Sequence, residues 1–400
     1  MTGAQEKFLR YLALTHPAPS LLEIERAEGI YLYTPSGERY IDFNSGIGPV
    51  ALGHSHPAIR RAVHAQIDRY AHTMVWGEYV QSPQVAYAEA LVTHLPADLD
   101  TVYFTNSGTE AVEGAIKLAR KFTGRHEIVA ARSAYHGSTL GAMSLRSDIE
   151  YKQHFMPLLP GVRHLRFNAI EEVELVTART ACVVLETIQS EAGVLLPDVA
   201  FLQAIRRRCD EVGALLVLDE IQVGMGRTGR LWAFEHYGIE PDILVLAKAL
   251  GGGLPLGAFI ASRKIMSALW ECPTHGHLTT FGGNPVSCAA GKAAFDIICK
   301  GDFLHDVERK GRRIAWWLQR AEGVKEIRHI GLLIGVDLGD ARRTQAVIKE
   351  LFARHIIVDY LLFHTTTFRI APPLTVTEEE IDEAMEVVLD VLNTVGGRSS

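Results

Sequence analysis

The chain has 400 residues, 48% of them hydrophobic and 22% charged, enough for a large globular core and for about two to three domains at roughly 150 residues each. Lysine plus arginine number 40 and aspartate plus glutamate 47, giving −7, a balance with no electrostatic footprint for nucleic acid. Five cysteines, odd in number and without a C-x-x-C pair, argue against a disulfide framework and for a reducing compartment, so a cytoplasmic location is expected.

The first twenty residues contain Glu6, Lys7 and Arg10 and no unbroken apolar stretch of signal-peptide length. Residues 31–43 alternate apolar and polar around Pro35-Ser36-Gly37, which predicts a hairpin. Helical apolar spacing follows at 58–70 and 82–94. From about residue 100, short β-branched runs at 102–104, 128–130, 182–185, 215–218 and 243–246 alternate with helical stretches. This pattern predicts parallel strands buried on both faces. The weakly charged run 243–261 is broken by Lys248, Gly251-Gly252-Gly253 and Pro255. It reads as a buried strand, a charged residue at its end and a glycine loop, and is too interrupted for a membrane helix. From Phe303 the pattern gives a long helix, a strand at 332–336, another helix and a polar end, a smaller α+β unit. The expected plan is α/β. A large domain (51–300) has a mostly parallel central sheet flanked by helices, and a small domain is built from both chain ends (1–50 and 301–400).

Open α/β sheets bind ligands beyond the carboxyl ends of their strands. After 102–104 comes Thr105-Asn106-Ser107-Gly108-Thr109 and then a helical pattern over 110–122. Hydroxyls and free N–H groups at a helix start suit a phosphate, and they equally suit a simple N-cap. Asp219 follows the apolar run 215–218, and Lys248 follows 243–246. They read either as a structural ion pair or as two groups facing a ligand, where a desolvated lysine becomes an amine nucleophile. Gly224-Met225-Gly226-Arg227-Thr228-Gly229 matches G-x-G-x-x-G, but it opens no helix directly after its strand and lacks the downstream acidic residue of a dinucleotide site. The pairs His54/His56 and His275/His277 have no helical i, i+4 spacing and no completing ligands, so no metal site is expected.

In combination these features resemble the class III (ω-amino acid type) aminotransferases, pyridoxal-phosphate enzymes of fold type I, over about residues 41–381. The resemblance rests on Asp42-Phe43-Asn44-Ser45-Gly46, Gly53-His54-Ser55-His56-Pro57, Asn106-Ser107-Gly108-Thr109-Glu110-Ala111 and Ala134-Tyr135-His136-Gly137-Ser138-Thr139. It continues through Glu186-Thr187-Ile188-Gln189-Ser190-Glu191-Ala192-Gly193 and Leu218-Asp219-Glu220-Ile221-Gln222. Lys248-Ala249-Leu250-Gly251-Gly252-Gly253, Thr280-Phe281-Gly282-Gly283-Asn284-Pro285 and Arg369-Ile370-Ala371-Pro372-Pro373-Leu374 complete it.

The resemblance implies that Lys248 carries pyridoxal phosphate as a Schiff base and shuttles the proton, and that Asp219 pairs with the ring nitrogen. It implies that Ser107, Gly108 and Thr109 hold the phosphate with Thr280 of a partner subunit, making a homodimer. Tyr135 and Ile221 would flank the ring, Gln222 would bond its oxygen, and His136 and Glu186 would complete the cofactor site. Arg369 would bind a substrate carboxylate or pair with Glu191, while Trp76 and Tyr79 would line the substrate opening. Relatives acting on ornithine, acetylornithine or 4-aminobutyrate carry an arginine after the His-Gly pair; here Ser138 stands there. The expected activity is transfer of an amino group from an amine or ω-amino acid to a 2-oxo acid, 2-oxoglutarate or pyruvate. The rivals are a racemase of the same family, a catalytically silent binding protein on the same fold and, more weakly, a dinucleotide-dependent oxidoreductase.

Overall fold

The structure, a computed structural model, describes residues 1–75, 77–271 and 273–395. At its centre lies a seven-stranded sheet in the order Thr101–Thr105, Gly257–Ala261, Ile243–Leu246, Leu215–Asp219, Thr180–Glu186, Glu127–Ala131, Val162–Leu165. Every strand runs parallel to the others except Gly257–Ala261, which is antiparallel to both its neighbours. The central strands are buried along their whole length because helices cover both faces, which is why they read as continuous apolar runs.

Two strands depart from the sequence expectation. Gly257–Ala261 lies inside the stretch read as a glycine loop; its small residues have little β propensity, yet it fills the gap between two neighbours. Val162–Leu165 carries Arg163 and His164 and is only half-buried, as an edge strand can be.

The two chain ends meet. Strands Arg26–Glu28, Tyr31–Tyr33 and Arg39–Asp42 form an antiparallel meander containing the predicted hairpin, with Tyr31 opposite Ile41. Ile356–Ile357 then adds in parallel to Arg39–Asp42. A third sheet, in the order Glu326–Ile330, Leu333–Asp337, Thr367–Ile370, Asp359–Tyr360, is antiparallel. The end of the chain is not polar throughout. Thr367–Ile370 is wholly buried, and helix Glu378–Thr394 buries Ile381, Ala384, Met385, Val388, Val391 and Leu392 on one face. Among the described residues, no helix is long and apolar enough to cross a membrane.

The glycine-rich segment 224–229 is a tie between these layers. The buried Arg227 guanidinium donates to the carbonyls of Leu332 (3.0 Å) and Pro372. Burial and then the Arg369 charge push Arg227 down to about 9.

Helix Pro285–Ile298 packs directly on the turn Lys248–Gly251. A Cβ on Gly291 would lie 2.1 Å from the Leu250 carbonyl oxygen and 2.6 Å from the Tyr87 ring. That same carbonyl accepts from the buried Tyr87 hydroxyl at 2.8 Å. Gly291→Ala must push helix and turn apart, and overpacking of this kind costs about 1–3 kcal/mol. Urea unfolding should show that loss as a lower midpoint at unchanged slope; an unchanged midpoint would mean that the contact relaxes without cost.

Candidate active site

The carboxyl ends of Thr180–Glu186, Leu215–Asp219 and Ile243–Leu246 lie side by side, with Glu186 opposite Asp219 and Asp219 opposite Val245. A cavity of about 510 Å³ opens over them. Its wall includes Ser107, Gly108, Thr109, Tyr135, His136, Ser138, Glu186, Glu191, Asp219, Ile221, Gln222 and Lys248, all singled out in the sequence.

Strand Thr101–Thr105 aims the helix Gly108–Thr123 at this cavity. Ser107 caps it, its hydroxyl accepting the Glu110 N–H at 3.3 Å. Glu110 turns back to accept from the Asn106 N–H at 2.7 Å. The first N–H groups of this helix, with its positive dipole end, face the cavity. A Cβ on Gly108 would meet Ile221 Cδ1 at 2.7 Å, and one on Gly137 would meet Thr109 Oγ1 at 2.3 Å, so only glycine leaves this cradle open. Thr109 and Thr139 share a hydroxyl contact of 2.7 Å.

Asp219 is buried and its charge is fully engaged. Oδ2 contacts His136 Nδ1 at 2.7 Å, and Oδ1 accepts the Ile221 N–H at 3.0 Å. Burial lowers the His136 pKa, but the hydrogen bond and charge of Asp219, with the Glu186 charge, prevail and raise it. His136 therefore reaches the site through Asp219. Glu186 is pushed up to about 7, first by burial, and accepts the N–H groups of Tyr135 (2.9 Å) and Ser190 (3.0 Å).

Lys248 sits two residues past its strand with φ +50°, a left-handed backbone that costs a non-glycine residue about 1–2 kcal/mol. Burial, then the Arg369 charge, lowers its ammonium to about 8, and its Nζ donates to Gln222 Oε1. Of the following glycines, Gly253 lines the cavity, whereas Gly252 (φ +58°) is needed for packing, since a Cβ there would lie 2.7 Å from the Ala290 carbonyl oxygen. Gly48, absent from the sequence reading, packs over the lysine: at φ +99°, its Cβ would meet Lys248 Cδ and Gln222 Nε2, each at 3.3 Å. The glycines at 46 and 48 were the only signal for it.

Arg369 is wholly buried and lies beside the cavity. One guanidinium nitrogen donates to Ser190 Oγ and to Glu191 Oε1, both at 2.8 Å, and the other pairs with Asp359. Asp359 had no sequence signal, being one residue of a two-residue strand. Glu191 is held in turn by the Leu362 N–H at 3.2 Å. Thr280 and Tyr79 are exposed and stand outside the cavity of their own chain, and Trp76 lies outside the described residues.

The residues fit pyridoxal phosphate on their own geometry. The glycine-opened helix start offers hydroxyls and N–H groups to a dianion, and Asp219 offers a buried carboxylate to a pyridinium. Lys248 offers an amine, and the buried His136 Nε2 and Gln222 Nε2 have no partner among the described residues.

Comparison with known proteins agrees with this chemistry. The family model described as aminotransferase class-III matches residues 14–392. Acetylornithine aminotransferase of Methanopyrus kandleri is 42% identical over 92% of this chain and 94% of its own. Putrescine aminotransferase of Pectobacterium atrosepticum is 38% identical over 92% and 81%. An ornithine aminotransferase of Toxoplasma gondii, with PLP at partial occupancy in its active site, superposes at TM-score 0.89 with 28% identity, covering 98% of this chain and 94% of that one. The chain belongs to the class-III aminotransferases, pyridoxal-phosphate enzymes that transfer an amino group to a 2-oxo acid.

Proposed function

We propose that the donor is a terminal primary amine, on a diamine or an ω-amino acid, and that the acceptor is 2-oxoglutarate or pyruvate. The Arg369–Glu191 pair carries this reading. With Glu191 and Asp359 both on Arg369, the guanidinium is neutralised and the site accepts a substrate end without a carboxylate. When Glu191 swings away, the planar fork is free to bind the carboxylate of a 2-oxo acid bidentately. The names of the relatives support a terminal amine, since putrescine is a diamine. Ser138 offers only a hydroxyl, which does not replace a guanidinium against a second carboxylate.

In this reading Ser107, Gly108 and Thr109 hold the cofactor phosphate together with Thr280 of the partner subunit. The exposed Thr280 in each chain makes a homodimer the working unit. Tyr135 and Ile221 bound the ring, and Gln222 bonds its oxygen. Pyridoxal phosphate, when bound, supplies an electron-withdrawing ring that stabilises negative charge at the amine-bearing carbon. Asp219, oriented by His136, keeps a proton on the ring nitrogen. Lys248 would take the proton from the substrate carbon and return it to the carbon on the far side of the amine nitrogen. With a pKa near 8, about a tenth of its amine is neutral at pH 7, against a far smaller fraction for an ordinary lysine. Tyr79 and Trp76 are assigned to the substrate opening and Glu186 to fixing the Tyr135 loop. The strand pairing of residues 39–42 with 356–357 supports a small domain from both chain ends (1–50 and 301–400) around a large one (51–300).

Lys248→Ala should abolish turnover and keep the fold. Borohydride reduction of the wild-type holoenzyme followed by peptide mapping should place the cofactor on Lys248; a label on another lysine overturns the assignment. Capture of cofactor by the apo-chain should accelerate as pH rises through about 8, because the neutral amine is the reactive form.

Asp219→Asn should bind cofactor but lose about 10²- to 10³-fold in turnover, the scale of removing one electrostatic partner from the developing charge. Near-normal turnover would make the carboxylate structural.

Arg369→Ala should weaken the 2-oxo acid half-reaction by about 30-fold or more, as loss of a buried charged contact does. The half-reaction of a plain diamine should change little. Single-turnover absorbance changes of the cofactor read the two halves separately, and equal losses would show a purely structural arginine.

A further inference from the structure

Arg146 is buried, with 4% of its surface exposed, and its guanidinium makes no hydrogen bond or ion pair with any described residue. Asp148 is two residues away and does not pair with it. Instead three aromatic rings surround the charge. Its Cζ stands 4.3 Å from the Tyr151 ring centroid, 5.0 Å from that of Phe363 and 5.6 Å from that of Tyr135. Rings of this kind stabilise a guanidinium in part, but they leave its N–H donors unsatisfied. Both Nε and Nη2 are buried donors without an acceptor. A charged fork kept dry, open-handed and without a counter-ion is a costly arrangement that a stable core has no reason to hold.

Its position explains the cost. Tyr135 is a cavity wall residue, and its hydroxyl contacts Ser138, another wall residue, at 3.2 Å. On the other side, the Phe363 N–H donates to the Glu191 carbonyl at 3.1 Å, and the Glu191 carboxylate is the partner of Arg369. Arg146 thus stands one ring behind the cavity wall at Tyr135, and Arg369 stands behind the same wall at Glu191. Lys152, whose ammonium donates to the Arg146 carbonyl, adds a second cation to this side.

We propose that Arg146 is a specificity-determining residue that binds the distal carboxylate of the 2-oxo acid, so that the acceptor is a dicarboxylic one. This rests on the reading that Arg369 takes the carboxylate next to the oxo group. With that carboxylate on Arg369, a second unpaired guanidinium one ring behind the same wall suits a second carboxylate. A dicarboxylic 2-oxo acid satisfies both forks; pyruvate satisfies one. Phe363 is the ring that would turn to open the path, while Tyr135, held by Glu186 and Ser138, stays against the cofactor.

The test compares 2-oxoglutarate with pyruvate as acceptors for the wild-type holoenzyme, Arg146→Met and Arg146→Lys. Arg146→Met should raise KM for 2-oxoglutarate about 30-fold or more and leave that for pyruvate within about twofold, with Arg146→Lys between. A plain diamine should react as in wild type, which separates an acceptor carboxylate from a donor one. Glutarate, an unreactive dicarboxylate, should raise the melting temperature of the wild-type holoenzyme and not that of Arg146→Met. Removing an unpaired buried charge should leave the unliganded melting temperature equal or higher. Equal losses with both acceptors, a glutarate shift that survives Arg146→Met, or a large drop in unliganded melting temperature would each overturn the proposal. Failure of the underlying reading looks different: Arg369→Ala would then spare both acceptors, while the glutarate shift still decides for or against Arg146.

Discussion

Asp219 ends a strand that is apolar along its whole length, and a carboxylate there must be accommodated or expelled. Its side chain is buried, so other protein groups must take its oxygens. His136 and the Ile221 N–H take its two oxygens, and the resulting pair is buried with Glu186 beside it. That arrangement fixes the segment after Glu127–Ala131, since His136 must reach across to the strand end. It also raises the Glu186 pKa, because burial and a second nearby carboxylate both disfavour its charge. A hydrogen-bonded His136–Asp219 pair with the raised Glu186 carboxyl beside it is therefore built into the strand ends. Past the next strand, Lys248 feels the same burial with the opposite sign and gives up its proton more readily. One constraint, burial at three strand ends, makes a fixed carboxylate and a reactive amine together.

The second charged group works by a different economy. Arg369 keeps its charge while fully buried because two carboxylates sit on it, and both are themselves partly exposed. Removing one partner of a buried pair is far more disruptive than removing both. In the proposed function, exchange of partners is the low-cost move, with a substrate carboxylate entering as Glu191 leaves. Glu191 suits this because its backbone is anchored to residues 362 and 363 while its side chain lies at the cavity wall. Ser190, which shares the same guanidinium nitrogen at 2.8 Å, holds the arginine in place during such an exchange.

Much of this was legible in the chain because the signals are local. A β-branched run of four residues is both a buried strand and a pointer to whatever follows it, so Asp219, Lys248 and the Ser107 cap could be placed from sequence. What failed was non-local or compositional. Gly257–Ala261 hides in small residues, and its strand conformation comes from the two neighbours it bridges. The buried stripe of Glu378–Thr394 is masked by the seven glutamates and aspartates spread over its outer face and first turn. Asp359 meets Arg369 only because two short strands pair, and Arg146 meets Tyr135 and Phe363 only through packing of three separate segments. Thr280 and Tyr79 show another limit. Both are exposed and stand outside the cavity of their own chain, so their assigned roles rest on the proposed homodimer and substrate opening.

The meeting of the chain ends bears directly on the lysine. Strand Arg39–Asp42 is clamped between Tyr31–Tyr33 and Ile356–Ile357, and its last residue, Asp42, accepts from the N–H groups of Asn44 and Gly46 at 3.0 Å each. His54 takes the same carboxylate at 2.8 Å. The loop so fixed delivers Gly48 against Lys248 Cδ and the Gln222 amide, where no side chain fits. The amine is thereby bounded on one side by backbone from the beginning of the chain and on another by Arg369 from its end. In the proposed function the lysine would hand a proton between two carbons separated by one nitrogen, which needs a restricted arc of motion. Here that restriction comes from segments more than 100 residues away on either side, so the small paired strands of the termini belong to the chemistry as much as the central sheet does.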